Sequence, residues 1–150
     1  MIKIESVATV SLIVNDASRN DVLFIDTLAL PMENYDGYLM TEKLPGVRHL
    51  GMWPISQAAA TCFGSSEWPA DVTKPQASIE FEVASPDDVF AAAAELRRRG
   101  YSLLHDAKVE PWGQTITRLL GENGLIVGIC YTPSFHENSS AHGGASTSSA

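Results

Sequence analysis

Residues 78–96 read Ser-Ile-Glu-Phe-Glu-Val-Ala-Ser-Pro-Asp-Asp-Val-Phe-Ala-Ala-Ala-Ala-Glu-Leu. Apolar and polar side chains alternate at the start of this stretch, which predicts a strand over 76–84 with two different faces. Ser85 then fits a helix N-cap and Pro86 the first helical position, while two aspartates complement the helix dipole in the first turn. Gly100 follows the helix and ends it. The stretch therefore predicts a strand that leads directly into an amphipathic helix.

The same unit occurs near the N-terminus. Residues 9–16 read Thr-Val-Ser-Leu-Ile-Val-Asn-Asp, and a helical pattern follows over 18–30 until a proline ends it. With an offset of 69 positions, Leu12 aligns with Phe81 and Thr9 aligns with Ser78. Two copies of one unit in a chain of 150 residues predict two small modules that share one core.

The remaining pattern indicates the plan β-α-β-β-β for both modules. The further strands are predicted at 33–44 and 47–54, followed by a short helical segment at 56–64 that Ser56 caps, and then at 101–109, 114–120 and 125–132. Asn123-Gly124 is a strong hairpin signal. We therefore predict an α+β domain over 1–133, with modules at about 6–64 and 76–133 and a linker at 65–75. Residues 134–150 are rich in Ser, Gly and Ala and are predicted to form a disordered tail, in which His142 is a lone histidine.

Composition limits the functional classes. The formal net charge is −8, and the acidic residues are spread over both halves, which disfavours nucleic acid and anionic membranes as partners. Two cysteines without CxxC spacing indicate no disulfide framework. No signal peptide or membrane-spanning run is visible, so we expect a cytoplasmic protein.

Alternation along the two repeated strands separates two sets of side chains. Val10, Leu12 and Val14, like their counterparts in the second module, are expected to pack under the helices. The other set includes Thr9 and Glu80 and is expected to line a concave surface between curved mixed sheets. Concave surfaces with a few placed polar groups are preferred ligand sites.

The two-module pattern, together with Glu110-Pro-Trp-Gly-Gln114 and Gly121-Glu-Asn-Gly-Leu125 before an apolar strand, resembles the glyoxalase/bleomycin-resistance/dioxygenase superfamily, which has the vicinal oxygen chelate fold. The resemblance covers roughly residues 6–133. It implies paired βαβββ modules, a homodimer, and cavities framed by the curved sheets.

The resemblance also implies where a metal would be held. Metal-dependent members carry two histidines and a glutamate at the positions that are Thr9, Ser78 and Gly128 here. Hydroxyl groups are poor ligands for a divalent metal and glycine offers none, whereas a catalytic site usually needs about three protein ligands. We therefore predict no metal or other cofactor, and a likeness to the metal-free, drug-binding branch.

Candidate ligand-binding residues come from the predicted concave face and from aromatic residues outside the packing pattern. They are Tyr38, Met40, His49, Trp53, Phe63, Trp68, Glu80, Trp112 and Gln114, with Tyr35 as a further aromatic candidate. Glu80 is a general base or an acceptor for a ligand hydroxyl. Otherwise, one of Glu80 and Glu82 is solvated at the end of the sheet and the other pairs with an arginine such as Arg48 or Arg118. His49 is either structural or half of a dyad with Glu80. Cys130 lines the cavity or is simply a small buried residue.

These residues predict a homodimeric binding protein that sequesters an aromatic or polycyclic natural product, as an antibiotic-resistance protein does, without catalytic residues. Stacking of several aromatic rings on a flat guest supplies affinity. The alternative is an enzyme, a glyoxalase-like lyase or isomerase or a dioxygenase, which uses Glu80 and His49 or a relocated metal. A third possibility is a small-molecule-sensing or partner-binding module.

Overall fold

The computed structural model describes residues 1–16, 21–122 and 124–137. The start of the first predicted helix, Asn123 of the predicted hairpin, and the tail from residue 138, which includes His142, lie outside these ranges. The described strands are β1 (Ser6–Val14), β2 (Glu33–Tyr35), β3 (Tyr38–Thr41), β4 (His49–Pro54), β5 (Ala77–Glu82), β6 (Leu103–Val109), β7 (Thr115–Leu120) and β8 (Leu125–Tyr131). The α-helices are α1 (Ile55–Phe63) and α2 (Pro86–Arg98), beside a π-helix at Val22–Thr27 and a 3-10 helix at Pro133–Phe135.

The strands form one mixed sheet in the order β2-β3-β4-β1-β5-β8-β7-β6. Each module contributes four neighbouring strands, with β1 parallel to β4 and β5 parallel to β8. The modules join edge to edge where β1 pairs antiparallel with β5, so that Thr9 lies opposite Glu80. The α+β prediction with two βαβββ modules is confirmed, and the two four-stranded halves are continuous rather than separate sheets.

Helix α2 forms for the reasons that its sequence indicates. The Ser85 Oγ accepts a hydrogen bond from the backbone N–H of Asp88 at 3.2 Å, and Gly100 takes φ +94° just past the helix. Val89 and Ala92 are buried against Val83 and the neighbouring strand β8. This helix covers the face of the sheet opposite Glu80, because Phe81 packs into the same cluster.

The first module lacks an equivalent packed helix. In place of the predicted helix at 18–30, the described residues contain only the π-helix at Val22–Thr27, which buries none of its side chains. Its apolar residues Leu23, Phe24 and Ile25 are consecutive, and therefore point around the axis instead of forming one stripe. Consequently Val10, Leu12 and Val14, which were expected under this helix, are only half-buried.

Two predicted boundaries differ for local reasons. The strand predicted at 33–44 is divided into β2 and β3 by a turn in which Asp36 and Gly37 both have positive φ (56° and 90°), as a type I′ hairpin requires. Ser56 does not cap α1, because the N-cap position is Pro54. Instead, the Ser56 backbone N–H and hydroxyl donate to Asp16 Oδ1 at 3.2 and 3.0 Å.

Helix α1 packs on the face of the sheet that carries Glu80. It contributes Ala58, Ala59 and Cys62 to a buried cluster that also contains Trp53, Trp68 and Ile126. The helix therefore closes one end of the concave surface. Neither it nor any other described helix is long and apolar enough to cross a membrane.

The last described residues pack on the domain. The 3-10 helix at Pro133–Phe135 places Phe135 against buried Ala8, Ile116 and Cys130, and the Arg48 guanidinium lies 5.0 Å from the centre of its ring. The tail that was predicted from residue 134 thus begins with two residues, Phe135 and His136, whose side chains contact the domain. The average composition of residues 134–150 is polar, and it did not indicate that Phe135 packs on the domain.

Candidate functional site

The concave face holds a cavity of about 640 Å³. Its lining residues come from both modules and from α1. They are Thr9, Ser11, Tyr35, Tyr38, Met40, Glu42, His49, Trp53, Gln57, Ala60, Thr61, Glu80, Trp112, Gln114, Arg118, Thr132, Ser134 and Phe135. Seven of the nine ligand-binding candidates predicted from sequence lie among them; the role of these seven in binding stays a prediction.

The other two candidates, Phe63 and Trp68, lie outside the cavity lining. Their rings contact edge to face, with centroids 4.9 Å apart. Trp68 is buried in the α1 cluster and donates its indole N–H to the Val72 carbonyl at 3.1 Å, so it fixes the linker to the domain. Both residues therefore have a packing role, which the sequence pattern alone did not separate from a binding role.

Three residues lie in one row across the centre of the sheet. Gly128 on β8 is directly opposite Glu80 on β5 and Arg118 on β7. Because glycine has no side chain, the flanking pair meets above it, with Arg118 Nη2 3.7 Å from Glu80 Oε2. A Cβ atom on Gly128 would lie only 3.0 Å from Glu80 Cγ. The buried ion pair between Arg118 and Glu80 therefore requires glycine at position 128.

Arg118 is the most heavily engaged residue of the cavity floor, and sequence analysis named it only as a possible partner. Its side chain is 1% exposed, and Nη1 donates to Glu110 Oε2 at 2.7 Å and to His105 Nε2 at 3.1 Å. Its guanidinium also lies 5.4 Å from the centre of the Trp53 ring, within cation–π range. Desolvation by burial and, to a smaller extent, the charge of Arg118 lower the pKa of His105. The imidazole is therefore neutral, and its Nε2 accepts the hydrogen bond from Arg118. The network places one fixed positive charge between two buried carboxylates.

Gln114 is a positioning residue and has no spare amide N–H for a ligand. Its Nε2 donates to Glu80 Oε1 at 3.0 Å and to Thr132 Oγ1 at 3.1 Å. Its Oε1 accepts from the indole N–H of Trp112 at 3.1 Å. The bridge that Gln114 makes therefore orients Glu80 and holds the half-exposed Trp112 at the cavity rim.

His49 does not form the predicted dyad with Glu80. Its Nε2 lies 2.6 Å from the Tyr38 hydroxyl, and its Nδ1 lies 2.7 Å from Glu42 Oε2. Because an ionised carboxylate only accepts, Nδ1 carries the proton and Nε2 accepts from Tyr38. Both His49 and Glu80 line the cavity, but each is engaged with other partners.

Gly51 makes the contact between Tyr38 and His49 possible. Strand β3 runs antiparallel to β4, with Met40 opposite Gly51. The Tyr38 ring leans across this position toward His49, so that a Cβ atom on Gly51 would overlap the Tyr38 hydroxyl. Burial, the largest cause, raises the pKa of Tyr38 well above its usual range, and the nearby carboxylates of Glu80 and Glu42 raise it further, although hydrogen bonding from Ser11 opposes this. The phenol therefore stays protonated at neutral pH.

Glu82 differs from both alternatives that were considered for it. It is 1% exposed and pairs with neither Arg48 nor Arg118. Its carboxylate accepts from the Thr132 backbone N–H at 2.5 Å and lies 2.8 Å from His136 Nε2. The Cys130 thiol also contacts it at 3.4 Å, and burial raises the pKa of that thiol strongly. Glu82, His136 and Cys130 are outside the cavity lining and attach the C-terminal segment to β5.

The positions that hold a metal in metal-dependent members do not fit one here. Gly128 has no donor atom, and the space beside it contains the Glu80 side chain. The adjacent carboxylate already faces the guanidinium of Arg118, a buried cation that would repel a metal ion. Within the three described ranges, no three His, Cys, Asp or Glu side chains converge as a ligand group would. The hydroxyls of Thr9 and Ser78 are the only remaining donors at these positions.

Comparison with known proteins identifies the fold. No protein-family model matches the sequence, and no curated protein matches it either. Homoprotocatechuate 2,3-dioxygenase from Brevibacterium fuscum superposes with a TM-score of 0.57 at 17% identity, over 86% of this chain and 33% of that one. A glyoxalase/bleomycin resistance protein/dioxygenase superfamily member from Vibrio splendidus gives 0.53 at 14% identity, over 87% and 100% of the two chains.

A structure described as an NAD-dependent benzaldehyde dehydrogenase from Legionella pneumophila gives a TM-score of 0.56 at 13% identity, over 82% of this chain and 96% of that one. Identities this low establish architecture and leave chemistry open, because one fold carries many activities. The chain has the vicinal oxygen chelate fold, as its sequence predicted.

Proposed function

We propose that this protein binds a flat aromatic natural product in the concave cavity and withholds it from solution, as a resistance protein does for an antibiotic. The observation that carries the proposal is the aromatic lining. Tyr35, Tyr38, Trp53, Trp112 and Phe135 surround a space of about 640 Å³. This volume is within the range of small-molecule sites, which is about 300–1,000 Å³.

The polar groups at the floor of the cavity are held in place by protein partners. Glu80, Gln114 and Arg118 form the floor, and their hydrogen bonds and ion pair fix their orientation before a guest arrives. A preorganised floor reduces the ordering cost of binding, and each aromatic pair adds about 0.5–1.5 kcal/mol beyond its buried area. Such a site favours binding through stacking and desolvation.

A sequestering protein needs only tight binding, because removal of free ligand follows from mass action. We further propose that the protein is a cytoplasmic homodimer with one cavity in each subunit. Light scattering measures the molecular mass in solution and decides the oligomeric state.

Tryptophan fluorescence tests the binding proposal. Trp53 and Trp112 line the cavity, whereas Trp68 lies in the core and serves as an internal reference. We expect polycyclic aromatic compounds to quench the wild type with saturation, and Trp112→Phe to lose part of that signal. Phe63→Leu is a control outside the cavity. Titration of a broad panel without saturable quenching would refute the proposal.

The enzymatic alternative is examined separately by elemental analysis of the purified protein. A stoichiometric divalent metal would favour a lyase, an isomerase or a dioxygenase with relocated ligands. The metal-free form of this alternative, a dyad of Glu80 and His49, is not supported by their contacts, since His49 bonds to Tyr38 and Glu42.

A further inference from the structure

Three cavity residues form a continuous hydrogen-bonded chain that binding alone does not require. The Tyr38 hydroxyl contacts His49 Nε2 at 2.6 Å, and His49 Nδ1 contacts Glu42 Oε2 at 2.7 Å. The His49 side chain is 17% exposed, whereas that of Glu42 is 47% exposed. The chain therefore leads from a hydroxyl inside the cavity to a carboxylate in contact with solvent.

The strand β4 is adapted to this contact. Gly51 removes the side chain that would otherwise occupy the place of the Tyr38 hydroxyl. His49 and Gly51 lie on the cavity face of the same strand, opposite Thr9 and Ser11 of β1. A structural tyrosine needs only one partner, but here the hydroxyl contacts an imidazole whose other nitrogen is oriented by a carboxylate. This is the arrangement of nucleophile or base, imidazole and orienting carboxylate that general acid–base sites use.

We propose that Tyr38, His49 and Glu42 form a proton relay, which gives the cavity general acid–base activity toward small aromatic carbon acids. This inference rests on the proposed function in one respect, namely that the cavity admits an aromatic guest. It goes beyond that function because a guest with an acidic C–H bond would be transformed as well as retained.

The step balances without a further reactant. The C–H proton of the guest passes to the Tyr38 oxygen while the Tyr38 proton passes to His49 Nε2. The electron pair of the C–H bond remains on the guest, as an enolate or in a new bond that expels a leaving group. The imidazolium is paired with the Glu42 carboxylate, and its proton returns to the guest at another carbon or leaves to solvent.

The electrostatic surroundings favour this concerted transfer over a free tyrosinate. Glu80 on β5 and Glu42 both face the Tyr38 hydroxyl and disfavour a phenolate, while Ser11 on β1 and Arg118 on β7 act in the opposite direction. Because burial already keeps the phenol neutral, the proton leaves only when His49 accepts it.

A nitrobenzisoxazole is a suitable probe. It is a planar aromatic molecule from which a base removes one ring C–H proton as the N–O bond breaks, giving a coloured cyano-nitrophenolate. We expect the wild type to accelerate this reaction and Tyr38→Phe, His49→Gln and Glu42→Gln each to reduce the acceleration by about tenfold or more. The matched controls Tyr101→Phe and Glu67→Gln change residues outside the cavity lining and should leave the rate unchanged.

Gly51→Ala tests the geometry while all three relay residues remain. Its Cβ would displace the Tyr38 hydroxyl, so the acceleration should fall as it does in Tyr38→Phe. The nitrogen chemical shifts of His49 give a readout that needs no guest. They should report the tautomer protonated at Nδ1 in the wild type, and a changed Nε2 signal in both Tyr38→Phe and Gly51→Ala.

Binding of a nitrobenzotriazole, a planar analogue that cannot react, separates the two proposals. If the analogue binds but wild type and relay variants accelerate equally, the relay is refuted and the binding function stands. The relay is equally refuted if Glu80→Gln alone abolishes the rate, because Glu80 is then the base. If neither the analogue binds nor the wild type accelerates the reaction, the relay is refuted, whereas the binding proposal is decided by the panel of polycyclic compounds.

Discussion

Replacement of Arg118 by methionine tests the electrostatic core of the cavity. Methionine has a similar length but removes the cation, which leaves Glu110 with only Lys108, 3.9 Å away, and Glu80 with only its hydrogen bond from Gln114. Removing one partner of a buried ion pair costs about 3–5 kcal/mol, because the other charge remains uncompensated. For a chain of this size each kcal/mol shifts the melting temperature by about 2–4 °C. We therefore expect Arg118→Met to lower the melting temperature by about 6–20 °C.

The matched control is Arg97→Met. Arg97 pairs with Asp106, but their side chains are 53% and 75% exposed, so water already solvates both charges. Such a pair contributes about 0–1 kcal/mol. Urea unfolding followed by circular dichroism measures the free energy of unfolding of both variants. If Arg118→Met and Arg97→Met were destabilised equally, the inference that Arg118 compensates buried carboxylates would be wrong.

Three further predictions concern local features. Gly128→Ala places a methyl group 3.0 Å from Glu80 Cγ and 3.1 Å from Ile116 Cδ1, so we expect a loss of about 1–3 kcal/mol in urea unfolding; a stability equal to the wild type would contradict the close approach. Burial raises the pKa of the Cys62 thiol to about 11, so iodoacetamide at pH 8 should modify it only after unfolding, and mass spectrometry of the native protein should find no adduct. Hydrogen bonds from two arginines lower the pKa of Glu95 from 4.5 to about 2 in the folded state, so its contribution to stability is present above pH 4.5 and is lost as the pH falls toward about 2. Glu95→Gln should flatten the dependence of the melting temperature on pH in that window, and an unchanged slope would count against the interaction.

The fold and half of the cavity follow from local patterns. The helix α2 has its cap, its proline, its charged turns and its apolar stripe within one stretch, and it forms where these signals place it. The Val22–Thr27 segment shows the reverse case, since its four apolar residues are consecutive and do not form one face of a helix. Alternation likewise identified Glu80 and His49 as neighbours of the concave surface.

The sequence by itself determined the duplicated βαβββ plan and which strand faces are polar, because these follow from patterns within single strands and helices. It also determined the net charge, which depends on composition alone. Only the tertiary structure decided the partners: Arg118 with Glu80 and Glu110, and His49 with Tyr38 and Glu42. It also decided that Trp53 lines the cavity, whereas Trp68, in the same buried cluster, lies outside the lining. These pairings depend on strand register and on the edge at which the modules join. A shift of one residue in the register of a strand would move every one of its side chains to the other face of the sheet. No local pattern specifies which of several buried carboxylates pairs with a cation from another strand.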